Sequence, residues 1–262
     1  MDIVILRGLA ASGSSAVSRY IAAKTDALFL NEYCMDTPHY PLNGFMPTVA
    51  YEEVLARRNT SVTPNIQENL EKKAKLEFEM IAELSCEMSR PLIIREWFHH
   101  YFETNQVDKY LKLENLLREM FPDSNISSVV IWRDPLQNFV SAARSGFWDS
   151  HSRNFHVWFY HLVGLIEKLS SNSTFMCYEE IVANPDLLDE FLREVLGDLS
   201  CNQSMSDIVV SGNSGRTDPL ENVLSPRPER PEDILVKQQM SKFDSVKKVY
   251  ELVEKRIHFY KS

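Results

Sequence analysis

The chain has 262 residues, enough for one large domain or two modest ones, and its 44% hydrophobic and 25% charged content excludes extensive disorder. A formal net charge of -9 argues against a broad basic surface for DNA or RNA, although a local basic pocket still fits inside an acidic protein. The four cysteines, Cys34, Cys86, Cys177 and Cys201, form no CxxC pair, so reduced thiols are expected rather than a zinc cluster or a redox motif.

The opening apolar run is too short for a signal or membrane segment and reads as a buried strand over 3–6. A Gly/Ser turn over 8–15 follows, then a helix over 16–24 with apolar positions at helical spacing, so the chain opens with a strand–loop–helix unit. A short strand is expected over 27–30, and the turn-rich stretch 33–47 reads as an irregular pocket wall. Helices are expected over 51–58 and 65–88, the second with a stripe of Leu70, Leu76, Met80, Ile81 and Leu84. A core strand over 92–94 exits into Arg95 and Glu96. Polar groups at such an exit carry weight, because parallel sheets place their ligand crevice at the carboxyl ends of the strands. Further helices are expected over 107–120, 136–144, 155–169 and 186–196, with strands over 128–132 and 174–177. This alternation predicts a three-layer α/β fold with a central, mainly parallel sheet flanked by helices, spanning residues 1–262 as a single domain. The Gly-, Pro- and Arg-rich stretch 211–231 reads as a lid or cofactor loop, and 241–260 as a closing helix.

Gly8-Leu9-Ala10-Ala11-Ser12-Gly13-Ser14-Ser15 has the glycine spacing of a phosphate-binding loop, with Ser14 where a nucleotide triphosphatase places lysine. Glycines permit tight turning, small side chains let the backbone approach oxygen atoms, and a helix N-terminus supplies donors. The competing reading is an ordinary Gly/Ser connection that caps the following helix.

With the later run Arg133-Asp134-Pro135-Leu136-Gln137-Asn138-Phe139-Val140-Ser141, this loop resembles the sulfotransferases that use 3'-phosphoadenosine-5'-phosphosulfate (PAPS). Tyr178-Glu179-Glu180-Ile181-Val182 before Pro185, and Gly212-Asn213 with Arg216, extend the resemblance along most of the chain. It implies a P-loop-like fold and a cytoplasmic enzyme of small-molecule metabolism, moving a sulfuryl group from PAPS to a hydroxyl or amine of a small acceptor without a metal. Arg7, Gly8, Ala11, Ser12, Gly13, Ser14 and Ser15 would face the 5'-phosphosulfate, Arg133 and Ser141 the 3'-phosphate, and Asn213 and Arg216 a late cofactor loop. Members often carry a basic residue at the position of Ala11; its charge is left to Arg7 or Arg95, to the helix N-terminus, or is lost in an inactive member. Members also place a histidine or glutamate base at the exit of the strand matching 92–94. One register sets Trp97 at the histidine; another matches Glu96, with Tyr101-Phe102 following, to the glutamate. Glu96 is the first choice, with Arg95 as its charge partner or a sulfate contact and His99 and His100 as alternatives.

Met35, His39, Tyr40, Phe45, Met46 and Trp148 are candidates for the acceptor pocket, though core packing accounts equally for the aromatic concentration Trp148, Phe155, Trp158, Phe159 and Tyr160. His151, His156 and His161 recur every five residues and rotate apart around a helix, so no metal site is expected. A nucleic acid partner and a membrane anchor are not expected. Two other readings stay open: a P-loop kinase for a small metabolite, against which the missing lysine counts, and a noncatalytic nucleotide-binding scaffold, for which Ala11 is the strongest sign.

Overall fold

The computed structural model describes residues 1–35, 70–96, 98–144, 155–197 and 230–261. Its centre is a five-stranded sheet in the order β2-β3-β1-β4-β5: β1 is Asp2–Gly8, β2 Leu28–Tyr33, β3 Leu92–Glu96, β4 Asn125–Trp132 and β5 Thr174–Cys177. Every pairing is parallel. Buried parallel strands carry apolar side chains on both faces, which is why Ile3-Val4-Ile5-Leu6 and Leu92-Ile93-Ile94 read as continuous runs rather than alternating ones.

Helices cover both faces. On one side lie α1 (Ser14–Lys24) and, further along the chain, Asp186–Leu196; their buried Val17, Ile21, Leu188 and Leu192 share a cluster with Val129 and Ile131 of β4. On the other side lies α2 (Leu70–Met88), whose Glu77 accepts the Tyr33 hydroxyl at 3.4 Å and whose Lys75 reaches Glu119 of the helix Lys112–Met120. The alternate residues Val130 and Trp132 belong to a second cluster with Phe155–Leu169, the long amphipathic helix after β4. The pleat thus divides β4 between two cores. The fold is the expected three-layer α/β arrangement, and its sheet, expected to be mainly parallel, is wholly parallel among the described strands.

The remaining helices are α3 (His99–Glu103), α4 (Lys112–Met120), α5 (Pro135–Arg144), α6 (Phe155–Leu169), α7 (Tyr178–Ala183), α8 (Asp186–Leu196), α9 (Pro231–Met240) and α10 (Asp244–Arg256). The helix expected over 107–120 is instead a 3-10 turn at Val107–Lys109 followed by α4. Between them Tyr110 is fully buried, its ring 4.8 Å from that of Phe98, so tertiary packing of one aromatic overrides the local periodicity. The closing helix ends at Arg256 rather than 260, because the tail turns onto the sheet: Phe259 bridges Phe175, and the Tyr260 amide donates to the Phe175 carbonyl over 2.9 Å. Apart from residues 33–35, the pocket wall expected over 33–47 and the helix over 51–58 lie outside the described residues, as does 211–229 of the expected lid.

One long-range polar contact fixes the start of α5. Asp134 caps that helix by accepting the Gln137 amide at 2.9 Å, and Pro135 at the first helical position needs no amide partner. The other carboxylate oxygen accepts the Tyr250 hydroxyl at 2.6 Å, tying α10 to the exit of β4. Burial and this hydrogen bond both hold the Tyr250 phenol well above its ordinary range. Tyr250→Phe is expected to lower stability by about 1.5 kcal/mol, since a charged acceptor loses its donor in a half-buried setting. Urea denaturation measures it, and an unchanged midpoint would show the contact to be idle.

Candidate functional site

The chain runs from β1 outward through β2 and β3 on one side, then crosses to β4 and β5 on the other, so the order reverses at β1. Parallel sheets open their ligand crevice at such a point, beyond the carboxyl ends of the strands. The residues found there are the Gly8–Ser15 loop, the exit of β3 with Arg95, and the exit of β4 with Arg133.

The loop is tightly wound. A Cβ on Gly8 would meet the Ser12 and Ser14 side chains, and one on Gly13 would overlap the Tyr178 ring. Gly13 also has φ +87°, and Ala11 occupies the left-handed region at φ 59°, which strains a residue bearing a Cβ by on the order of 1 kcal/mol or more. Two groups from the β4–α5 segment hold this shape: Asn138 Nδ2 donates to the Ala10 carbonyl at 2.8 Å, and Arg133 Nη1 to the Ala11 carbonyl at 3.0 Å. Ser12 and Ser14 are buried, and the Ser12 hydroxyl accepts the Ser14 amide at 3.4 Å.

Arginines flank the loop on both sides. From β3, Arg95 Nη2 donates to the Ser15 hydroxyl at 2.8 Å and to that of Ser14 at 3.3 Å. From β4, Arg133 lies with Nη1 3.3 Å from the Ser141 hydroxyl, Nε 3.4 Å from Glu179, and its guanidinium 5.5 Å from the centre of the Tyr178 ring. The structure therefore brings Arg133 and Ser141 together, as their spacing across the first turns of α5 suggested. A small cavity beneath the loop is lined in part by Gly8, Ser12, Phe98, Trp132, Arg133 and Asn138.

Three of the expected site residues are turned elsewhere. Arg7 is fully buried, with Nε 2.7 Å from Glu96 Oε2, Nη1 3.3 Å from Glu114 Oε2, and a further contact from Nη1 to Ser128. It faces the α4 side of the sheet, because β1 alternates and Gly8 comes one residue later. Glu96 is committed to that same ion pair, its side chain 2% exposed, so the carboxylate is not open to an acceptor, and it alternates to the face opposite Arg95. Met35 is likewise packed into the core around β2. His39, Tyr40, Phe45, Met46, Trp148, Asn213 and Arg216 lie outside the described residues, as does Trp97. Trp158 and Phe159 are buried core residues, whereas Tyr160 is exposed.

His99 and His100 open α3 just beyond β3. Burial, then the positive charge of Arg95, then His100 push the His99 imidazole down to about 3. It is thus neutral at physiological pH and within electrostatic reach of the residue that binds Ser15. Sequence reasoning missed Tyr178, which lies against Gly13 and under Arg133, and Asn138, which fixes the Ala10 carbonyl; both sit inside quoted motifs, but only the fold aims them at the loop. Among the described residues no group of His, Cys, Asp and Glu is placed to hold a metal ion. No described helix is long and apolar enough to cross a membrane.

The depressed His99 value has a thermodynamic consequence. A histidine that titrates near 6.5 when unfolded and near 3 when folded makes the unfolded chain bind more protons between those values, so stability falls as pH drops through that window and is constant above it. Between pH 6.5 and 5 the loss assigned to His99 is about 2 kcal/mol. The difference in unfolding free energy between wild type and His99→Asn should shrink by that order over the interval. Parallel pH profiles for the two proteins would show that His99 titrates normally.

No protein-family profile matches the chain, and no curated protein matches it. Among solved structures, a sulfotransferase domain from the curacin biosynthetic pathway is similar at 15% identity and a TM-score of 0.49, covering 92% of this chain and 97% of that one.

Proposed function

We propose that the chain is a sulfotransferase that takes a sulfuryl group from PAPS and passes it to a hydroxyl or amine of a small acceptor. The observation that carries this reading is the bracketing of the Gly8–Ser15 loop by Arg95 at the exit of β3 and Arg133 at the exit of β4. A donor with phosphate at both its 5' and 3' ends needs two separated anion anchors, and the crevice offers two guanidinium groups on opposite flanks of one helix N-terminus. The donor set fits such a molecule: forked guanidinium groups, serine hydroxyls and amides of a loop whose glycines leave no room for a Cβ.

In this reading Arg95 supplies the positive charge that Ala11 lacks. It already touches Ser14 and Ser15, where the 5' end would sit, whereas the guanidinium of Arg7 is occupied by two glutamates. Arg133 and Ser141 hold the 3'-phosphate, which competes with Glu179 for the guanidinium. Tyr178, packed on Gly13 and beneath Arg133, keeps the loop and that guanidinium against one another. PAPS, when bound, supplies the activated sulfuryl group: the acceptor oxygen or nitrogen forms the new bond to sulfur as the bond to the 5'-phosphate oxygen breaks. The acceptor's proton goes to a neutral imidazole. His99 takes that role in place of Glu96, being uncharged at neutral pH and beside Arg95. Arg95 stabilises the negative charge that develops on the departing phosphate oxygen.

Calorimetric titration with adenosine 3',5'-bisphosphate is the direct test. Tight binding without magnesium is expected, and a better response to magnesium-ATP would overturn the reading in favour of a kinase. Arg133→Ala should then weaken bisphosphate binding by about 1.5–3 kcal/mol, roughly 10- to 100-fold, in folded protein. An unchanged dissociation constant would remove Arg133 from the donor site.

A further inference from the structure

The buried pair Arg7–Glu96 has no place in the chemistry above, yet it adjoins the start of the loop and the exit of β3. Arg7 directly precedes Gly8, the first residue of the loop, and Glu96 directly follows Arg95. The two are 89 residues apart in sequence and meet at 2.7 Å, with side chains 0% and 2% exposed. Leu6 is in register with Arg95, so Arg7 and Glu96 are the next step along neighbouring strands and project to the face opposite Arg95.

The pair is the inner end of a chain of charges. Arg7 Nη1 also reaches Glu114 of α4 at 3.3 Å, and the other oxygen of Glu114 accepts from Arg118 at 3.0 Å. Arg118 in turn donates to the Ile126 carbonyl at 3.1 Å, near the start of β4. Ser128, which contacts Arg7, lies 3.1 Å from Ser173 at the entry to β5. Two arginines face two glutamates, so the cluster is neutral. A buried ion pair of this kind seldom exceeds a well-packed apolar pair in stability, and its attested use is to fix one arrangement among several.

We propose that Arg7 and Glu96 are positioning residues that set the exit of β3 against the start of the loop, thereby aiming Arg95 at Ser14 and Ser15 and seating His99 at the head of α3. This deepens the donor-site reading and rests on it for its catalytic meaning. An apolar pair of similar volume would fill the space without a preferred direction along the strands. The hydrogen-bonded pair fixes the height of one strand end relative to the other, and that offset decides whether a guanidinium one residue away meets the serine hydroxyls.

The test compares wild type with Arg7→Met/Glu96→Leu, in which both charges leave together and Glu114 keeps Arg118. Two readouts apply: bisphosphate affinity by calorimetry, and the titration of the His99 ring by NMR, assigned with His99→Asn. Expected are a folded protein with an unfolding midpoint near wild type, bisphosphate binding weakened about tenfold or more, and a His99 midpoint moved upward toward the ordinary histidine value as its enclosure loosens. Arg7→Lys keeps the charge and provides the second variant should the double variant not fold. Partial recovery of both readouts in it is expected, because a lysine satisfies Glu96 without the fork that also reaches Glu114 and Ser128. Folded variants with wild-type bisphosphate affinity and an unmoved His99 midpoint would overturn the positioning role. Failure of the wild type to bind bisphosphate would overturn the donor-site reading alone, since the His99 titration reports on Arg7 and Glu96 with no ligand present.

Discussion

The pleat of β1 at its last two residues governs how the rest of the crevice is arranged. Leu6 and Arg95 lie in register on one face, so Arg7, one step further, must point to the other, where it meets Glu96 and Glu114. Gly8 then begins the loop, with no side chain to obstruct Ser12 and Ser14 folding back across it. The carbonyls of Ala10 and Ala11 are held by Asn138 and Arg133. In a trans peptide the amide points opposite to its carbonyl, so anchoring these two oxygens also fixes the Ala11 and Ser12 amides, the second of which donates to Leu9. A strained φ at Ala11 is sustained by those contacts from the segment that carries Arg133.

The electrostatics follow from this geometry and reverse the sign of the chain as a whole. The molecule carries a formal charge of -9, but its crevice is furnished with arginines. They are not equivalent. Arg7 is neutralised within the core, and Arg133 shares its charge with a Glu179 side chain that is 41% exposed. An ion pair to a carboxylate that exposed is worth little, and a phosphate of the proposed donor would displace it at small cost. Arg95 is held against the hydroxyls of Ser14 and Ser15 at the first turn of α1. An anion entering from solvent meets an unfavourable long-range field and a favourable short-range one, which makes the affinity for a doubly phosphorylated ligand depend strongly on fixed geometry.

The sequence made legible those features in which local pattern and fold agree. Gly8, Gly13 and the apolar run before them announced a strand, loop and helix; the helical pattern over 136–144 announced α5, and the eight-residue interval from Arg133 to Ser141 spans two helical turns that return the hydroxyl to the arginine. What stayed hidden depends on register between distant strands. Nothing near Arg7 tells which face of β1 it occupies, since Ile3 to Leu6 are buried on both sides and show no alternation. Nothing near Glu96 shows a partner 89 residues earlier in the chain. The helix Tyr178–Ala183 was hidden for a related reason: Ile181 and Val182 suit a strand as well as a helix, and only the packing of both beneath the sheet decides.

The exchange of roles that we propose between Glu96 and His99 rests on the same register. A carboxylate at the last residue of β3 has two faces available. On the face of Arg95 it would look into the crevice, and on the opposite face it must find a cation or lose its charge, since burying an unpaired carboxylate costs several kcal/mol. Glu96 takes the second face, and Arg7 is the cation. In the proposed reaction the proton acceptor would then come from the next segment, α3, beginning at His99. Its imidazole meets two opposed conditions: burial and the neighbouring arginine keep it unprotonated, while a polyanionic donor bound to that arginine would offset the positive charge and raise its affinity for a proton. The group would therefore be a weak base in the empty crevice and a stronger one once the donor is in place, so that proton removal is linked to the presence of the sulfuryl group the acceptor is to receive.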